Sequence, residues 1–204
     1  MALYRALNRL LYPMHFARKI LKHSGHSNRM RLKAGDVAPN FELLGVDDKT
    51  YTLESFKDKK ILIIMFYCNH CPYAKGSEAR IIKLQAEYGS KGVQIVAINS
   101  NDDTDYPEDS YSNMIARARE RSYNFPYLWD ETQETARYYG GEVTPDCFVL
   151  DEDRVVRYTG RIDDSPKDEN AVKNHDLRMV LDALLAGNEP TFTERRAIGC
   201  SIKW

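Results

Sequence analysis

Apolar and polar positions along this chain alternate between two periods. Residues 61–67 form a short apolar run, partly β-branched, which predicts a strand buried on both faces. The next stretch, 72–88, sets Ala74, Ile81, Leu84 and Tyr88 at helical spacing, with Gly76 as a bend. Residues 93–98, entered through Gly92, predict a second buried strand. A helix over 110–122 follows, capped by Ser110, with Met114, Ile115 and Ala118 facing inward. Residues 125–130 are extended, and 132–139 predict a helix ended by Gly140 and Gly141. Ahead of these, 41–46 and 50–53 flank Asp47, Asp48 and Lys49 as a hairpin. Behind them, 147–150 and 155–158 make an antiparallel pair. A last helix runs over 172–186, with Leu177, Val180, Leu181, Leu184 and Leu185 as its apolar face. Strands followed by strand–helix units and a closing hairpin predict an α/β fold, a central mixed sheet flanked by helices.

Composition changes the picture only at the start. The chain has 204 residues, 43% hydrophobic and 29% charged, with net charge −1, which is ordinary for one globular domain. That balance hides an asymmetry. Arg5, Arg9, Arg18, Lys19, Lys22, Arg29, Arg31 and Lys33 fall before Asp36 with no acid among them, so the remainder is net acidic. The body carries no basic field for nucleic acid. Leu3, Leu7, Leu10, Leu11 and Met14 lie at helical spacing among these cations, with a break at Pro13. We therefore divide the chain into a basic amphipathic segment 1–33, a domain 34–190 and a tail 191–204. A basic amphipathic segment suits peripheral contact with an anionic membrane through residues 1–30, or organelle targeting, or simple packing on the domain. His15, His23 and His26 lack partner ligands nearby and read as solvated. No apolar run reaches the ~18 residues a membrane span needs, and basic residues interrupt any secretory-signal pattern. Four cysteines do not make a disulfide scaffold, so a reducing, cytoplasmic setting is the simplest expectation.

The chemistry concentrates at Cys68-Asn69-His70-Cys71-Pro72, between the apolar strand and the helix after it. Two cysteines separated by two residues suit a redox pair or half a metal site. A second C-x-x-C is absent from the sequence, which favours redox. A helix N-terminus stabilises a thiolate through its unpaired N–H groups and dipole. Coming first, Cys68 is expected to be the more exposed sulfur and the nucleophile, with Cys71 one turn on to close the disulfide. A cationic His70 between them would favour the thiolate further. Cys147, inside an apolar strand, reads as inert. Cys200 lies on the tail among Ile198, Ile202 and Trp204, either incidental, a third redox cysteine, or a soft-metal ligand with the pair.

Pair, preceding strand and the later Val143-Thr144-Pro145 resemble the thioredoxin superfamily. Gly35-Asp36-Val37-Ala38-Pro39-Asn40-Phe41-Glu42-Leu43, Gly160-Arg161-Ile162-Asp163-Asp164 and the tail from Gly199 to Trp204 are similar to its peroxiredoxin-like, thiol-specific-antioxidant group carrying C-x-x-C. The resemblance implies a thioredoxin-like fold over about residues 34–204. It also implies thiol–disulfide oxidoreductase activity at Cys68 and Cys71, with a protein or small-molecule disulfide as substrate and a thiol reductant as partner. Thr144 and a cis Pro145 would present backbone groups to an extended substrate, beside His70. No organic cofactor and no metal is implied. Two departures stand out. The strand over 61–67 lacks the buried carboxylate of thioredoxins, for which Glu142 is the substitute nearest Thr144. If Cys71-Pro72 matched the peroxidatic Cys-Pro of peroxiredoxins, Cys68 would replace the threonine that orients peroxide. The alternatives are therefore a thiol peroxidase using Cys71 or Cys68, and a copper carrier or sensor using Cys68, Cys71 and Cys200.

Overall fold

A computed structural model describes residues 31–204. The basic segment 1–30, with its expected helix, its histidines and its membrane contact, lies outside the described residues. Eight strands build the main sheet: β1 (Leu43–Gly45), β2 (Thr50–Tyr51), β3 (Ile61–Phe66), β4 (Val93–Asn99), β5 (Tyr127–Trp129), β7 (Asp146–Leu150), β8 (Val156–Gly160) and β9 (Glu194–Arg195). Their spatial order is β2-β1-β5-β4-β3-β7-β8-β9. Strands β3, β4 and β5 run parallel, while β7 returns antiparallel beside β3 and pairs antiparallel with β8. Four α-helices flank the sheet: α1 (Pro72–Tyr88), α2 (Tyr111–Glu120), α3 (Glu134–Tyr139) and α4 (Asp176–Leu185). A separate two-stranded ladder joins β6 (Val143–Thr144) to β10 (Cys200–Ser201). The mixed α/β architecture expected from the pattern is the one observed.

Strand β3 is apolar throughout because it is central and covered on both faces. Its side chains alternate between two cores. Ile61, Ile63 and Met65 pack with Ala74, Ile81, Leu84 and Tyr88 of α1 and with Leu177, Val180 and Leu181 of α4. Leu62, Ile64 and Phe66 face Phe41, Leu53, Phe56, Ala136, Tyr139 and Ile202. The parallel run of β3 and β4 brings the C-terminal ends of both strands, and the loops after them, to one edge. That edge holds both cysteines of the C-x-x-C pair.

Several expectations shift. Gly76 does not bend α1; a Cβ there would meet the Pro166 carbonyl at 2.6 Å, so glycine permits the 166–167 loop to lie against the helix. The last helix starts at Asp176 rather than near 172. The Asp164 carboxylate accepts the backbone N–H groups of Lys173 (2.9 Å) and Asn174 (3.1 Å), which holds that stretch out of the helix. The body of the fold begins before 34. Arg31 makes a bidentate ion pair with Asp146 at 2.5 and 2.7 Å, and Leu32 N–H donates to the Tyr139 carbonyl. The tail 191–204 is tied into the fold. It adds β9 to the main sheet and β10 to β6, and Ile202 is 2% exposed.

Candidate active site

The turn after β3 carries Cys68 over to Cys71, which is the N-cap residue of α1, with Pro72 in the first helical position where its missing N–H costs nothing. Cys71, not Cys68, therefore meets the unpaired N–H groups of the first turn. Both sulfurs are fully buried, so the expected exposure of Cys68 is not found. As a thiol, Cys71 donates to the Thr144 carbonyl at 3.2 Å. As a thiolate it gains more. The Cys68 thiol hydrogen-bonds to it, followed by the Ala74 N–H and by the thiol and backbone N–H of Cys200. Against the opposing cost of burial, these donors hold Cys71 well below the usual thiol range, at about 4. Cys68 is pushed in the other direction. Its proton is held by the bond to Cys71, burial disfavours its charge, and the Asp109 carboxylate repels it. The Thr144 hydroxyl, 3.2 Å away, works the other way and favours a Cys68 thiolate. Cys71 rather than Cys68 is thus the cysteine at the helix start.

Thr144 and Pro145 lie across from the pair, joined by a cis peptide bond. Thr144 touches both sulfurs, one through its hydroxyl and one through its carbonyl. Its outer edge is not open, because β10 pairs there with Cys200 opposite Thr144 and Ser201 opposite Val143. His70 is positioned by the loop before α2. Its ring stacks on Tyr106 at 5.1 Å between centroids, and its Nδ1 donates to Asp109.

Asp109 is the site residue that sequence reasoning missed. In the acidic loop 99–109, Asn99, Ser100, Asn101 and Asp109 are all buried. Asp109 accepts the Asn69 N–H at 2.6 Å and the Asn101 side chain at 2.8 Å, besides His70. The Asn69 side chain is in turn fixed by the Glu108 carbonyl and the Tyr127 hydroxyl. Asp109, from the loop after β4, thus supplies the buried carboxylate that β3 lacks. Glu142 is exposed and does not. A clue existed in the Asn99/Asn101/Asp109 spacing, but nothing in it told buried side chains from solvated ones. Cys68, His70 and Asp109 offer ligand atoms within 4.8 Å of one another. A cation there would compete with the three hydrogen bonds that Asp109 already accepts. Cys147 is fully buried in β7, with its thiol pushed up by desolvation, as an inert core residue would be.

A thiolate at a helix cap with a second, protonated thiol touching it is built to exchange disulfides, and this sheet with a cis-proline opposite places the chain in the thioredoxin superfamily. Comparison with known proteins gives the family: the chain belongs to the redoxin family, whose model matches residues 33–175. A solved structure of an uncharacterised conserved protein from Geobacillus kaustophilus is 45% identical, covers 84% of this chain and 92% of its own, and superposes with a TM-score of 0.80. Thiol-disulfide oxidoreductase ResA of Halalkalibacterium halodurans is 25% identical over 62% of this chain and 67% of its own length. Chloroplastic peroxiredoxin Q of Triticum aestivum is 24% identical over 63% of this chain and 58% of its own. The chain is a thiol–disulfide oxidoreductase.

Proposed function

We propose that Cys71 is the attacking sulfur and Cys68 the resolving one. The observation that supports this is the place of Cys71 at the N-cap of α1, ahead of Pro72, where the unpaired N–H groups of the first turn favour a thiolate. The Cys71 thiolate attacks one sulfur of a substrate disulfide. A bond forms to that sulfur, and the other substrate sulfur leaves as a thiolate. Formation of the mixed disulfide removes the negative charge at Cys71, and with it the largest cause that keeps Cys68 protonated. Cys68 then loses its proton toward the neighbouring His70–Asp109 pair and attacks Cys71. The Cys68–Cys71 disulfide closes and the second substrate thiolate departs. Substrate is reduced by two electrons and the pair is oxidised by two. A thiol reductant reverses these steps. The substrates are protein or small-molecule disulfides.

Trapping tests the assignment. Cys68→Ser removes the resolving thiol and, combined with Cys200→Ser so that no other thiol lies against Cys71, should accumulate a mixed disulfide on Cys71 when incubated with a disulfide substrate. Cys71→Ser should accumulate none. The reverse pattern would return the nucleophile to Cys68.

A peroxidase reading is favoured by one observation, the Cys71-Pro72 start of α1 with its depressed thiol. The peroxide-orienting threonine is replaced by Cys68, so peroxide consumption should be slow beside disulfide exchange. Faster turnover with hydrogen peroxide than with any disulfide would reverse that order. The copper reading calls for metal retained by Cys68, Cys71 and Cys200 after anaerobic purification, and metal analysis decides it. Among the described residues no helix is long and apolar enough to cross a membrane.

A further inference from the structure

The disulfide closed by this mechanism would form beneath the surface. Cys68 and Cys71 have no exposed surface, whereas Cys200 is only half-buried. Strand β10 holds Cys200 against the same sulfur that Cys68 touches, so Cys71 is the common neighbour of two thiols on opposite sides of the buried boundary. The placement is well built. Gly199 lets the tail pass the Thr144 carbonyl, where a Cβ would lie 2.0 Å from the oxygen. Beyond Cys200, Lys203 N–H donates to Asn101 at 2.8 Å, and its carbonyl accepts from Gln133 at 2.6 Å.

We propose that Cys200 is a third redox thiol, which takes the disulfide from the buried pair and carries it to the surface for reduction. The proposal rests on the disulfide-exchange reading above. In the step, the Cys200 sulfur attacks Cys71 within the Cys68–Cys71 disulfide. The Cys71–Cys200 bond forms, the Cys68–Cys71 bond breaks, and the proton given up by Cys200 ends on Cys68. One disulfide and one thiol become one disulfide and one thiol, so no further oxidant is needed. In the reduced protein Cys200 is kept protonated, its thiol raised to about 11, first by burial and then by its contact with the Cys71 thiolate. Oxidation of Cys71 removes the second cause, while Lys203 and Lys167 continue to favour a Cys200 thiolate. Oxidation of the pair thus makes the Cys200 thiolate easier to form, against a burial cost that remains.

The full chain is oxidised with oxidised glutathione, quenched in acid, alkylated and digested, and its cross-linked peptides are identified. Wild type should yield both Cys68–Cys71 and Cys71–Cys200 links. Cys68→Ser should yield Cys71–Cys200, and Cys200→Ser only Cys68–Cys71. Cys200→Ser should also slow reduction of the oxidised protein by a protein dithiol more than reduction by dithiothreitol. Glutathione left on Cys71 of Cys68→Ser, with no link to Cys200, overturns the proposal even if Cys200→Ser fails to fold. A wild type that forms Cys68–Cys71 but never Cys71–Cys200 overturns this proposal alone. A wild type that forms neither link overturns the exchange reading as well.

Discussion

Replacing Cys68 by alanine removes the donor that contributes most to the low Cys71 pKa, and leaves the Ala74 and Cys200 donors in place. A hydrogen bond to a charged acceptor contributes about 1.5–3 kcal/mol, and one pKa unit is about 1.4 kcal/mol, so Cys71 should rise by roughly one to two units. Serine keeps a hydroxyl donor at the position and should hold most of the depression. The sign of the linked stability follows from a folded value near 4 against an ordinary 9.0. A depressed pKa stabilises the folded state fully above the unfolded value, and that contribution is lost as pH falls through the folded one. At neutral pH the alanine variant should therefore lose about 1.5–3 kcal/mol more than the serine variant, and the gap should close as pH approaches 4. The assay is thiolate absorbance in the ultraviolet as a function of pH, with urea unfolding alongside. Cys200, raised to about 11, and Cys147, raised by burial, stay out of the acid range, so any wave there belongs to Cys71. A wild type with no thiolate below neutrality, or alanine and serine variants that titrate together, would refute the reasoning.

Gly199→Ala places a Cβ inside the Thr144 carbonyl contact, so β10 must lift from β6. Alkylation of Cys71 by a small reagent should then accelerate while circular dichroism stays native; unchanged protection would show that β10 does not cover the site. Arg31→Ala leaves the fully buried Asp146 without its bidentate partner and should cost about 3–5 kcal/mol in urea unfolding. Burial already raises the Asp146 pKa and Arg31 opposes it, so the variant raises it further. Stability is then lost as pH rises through that value, and the deficit should shrink in acid; a pH-independent deficit would mean that charge is not the cause. A chain beginning at Lys33 loses the same contact and should be destabilised alike.

Local pattern alone determined much of this protein. The apolar run of β3, the helical spacing of α1 with Pro72 at its start and the hairpin of β7 with β8 were legible because each is set by short-range periodicity and turn chemistry. The C-x-x-C pair was legible because its spacing is local too. The tertiary structure decided what those groups meet. The start at Pro72 already puts Cys71 at the cap, but it does not give the burial of both sulfurs or the placing of Cys200 opposite Thr144. Asp109 became the carboxylate at the site only because parallel pairing of β3 with β4 brings the two following loops to one edge. Arg31 joined the body of the fold through Asp146, far along the chain. The tail, without periodicity of its own, took its structure from the unpaired edge at Val143 and Thr144. Backbone groups left open at a sheet edge accept a strand from anywhere in the chain, and nothing in the sequence of that strand needs to announce it.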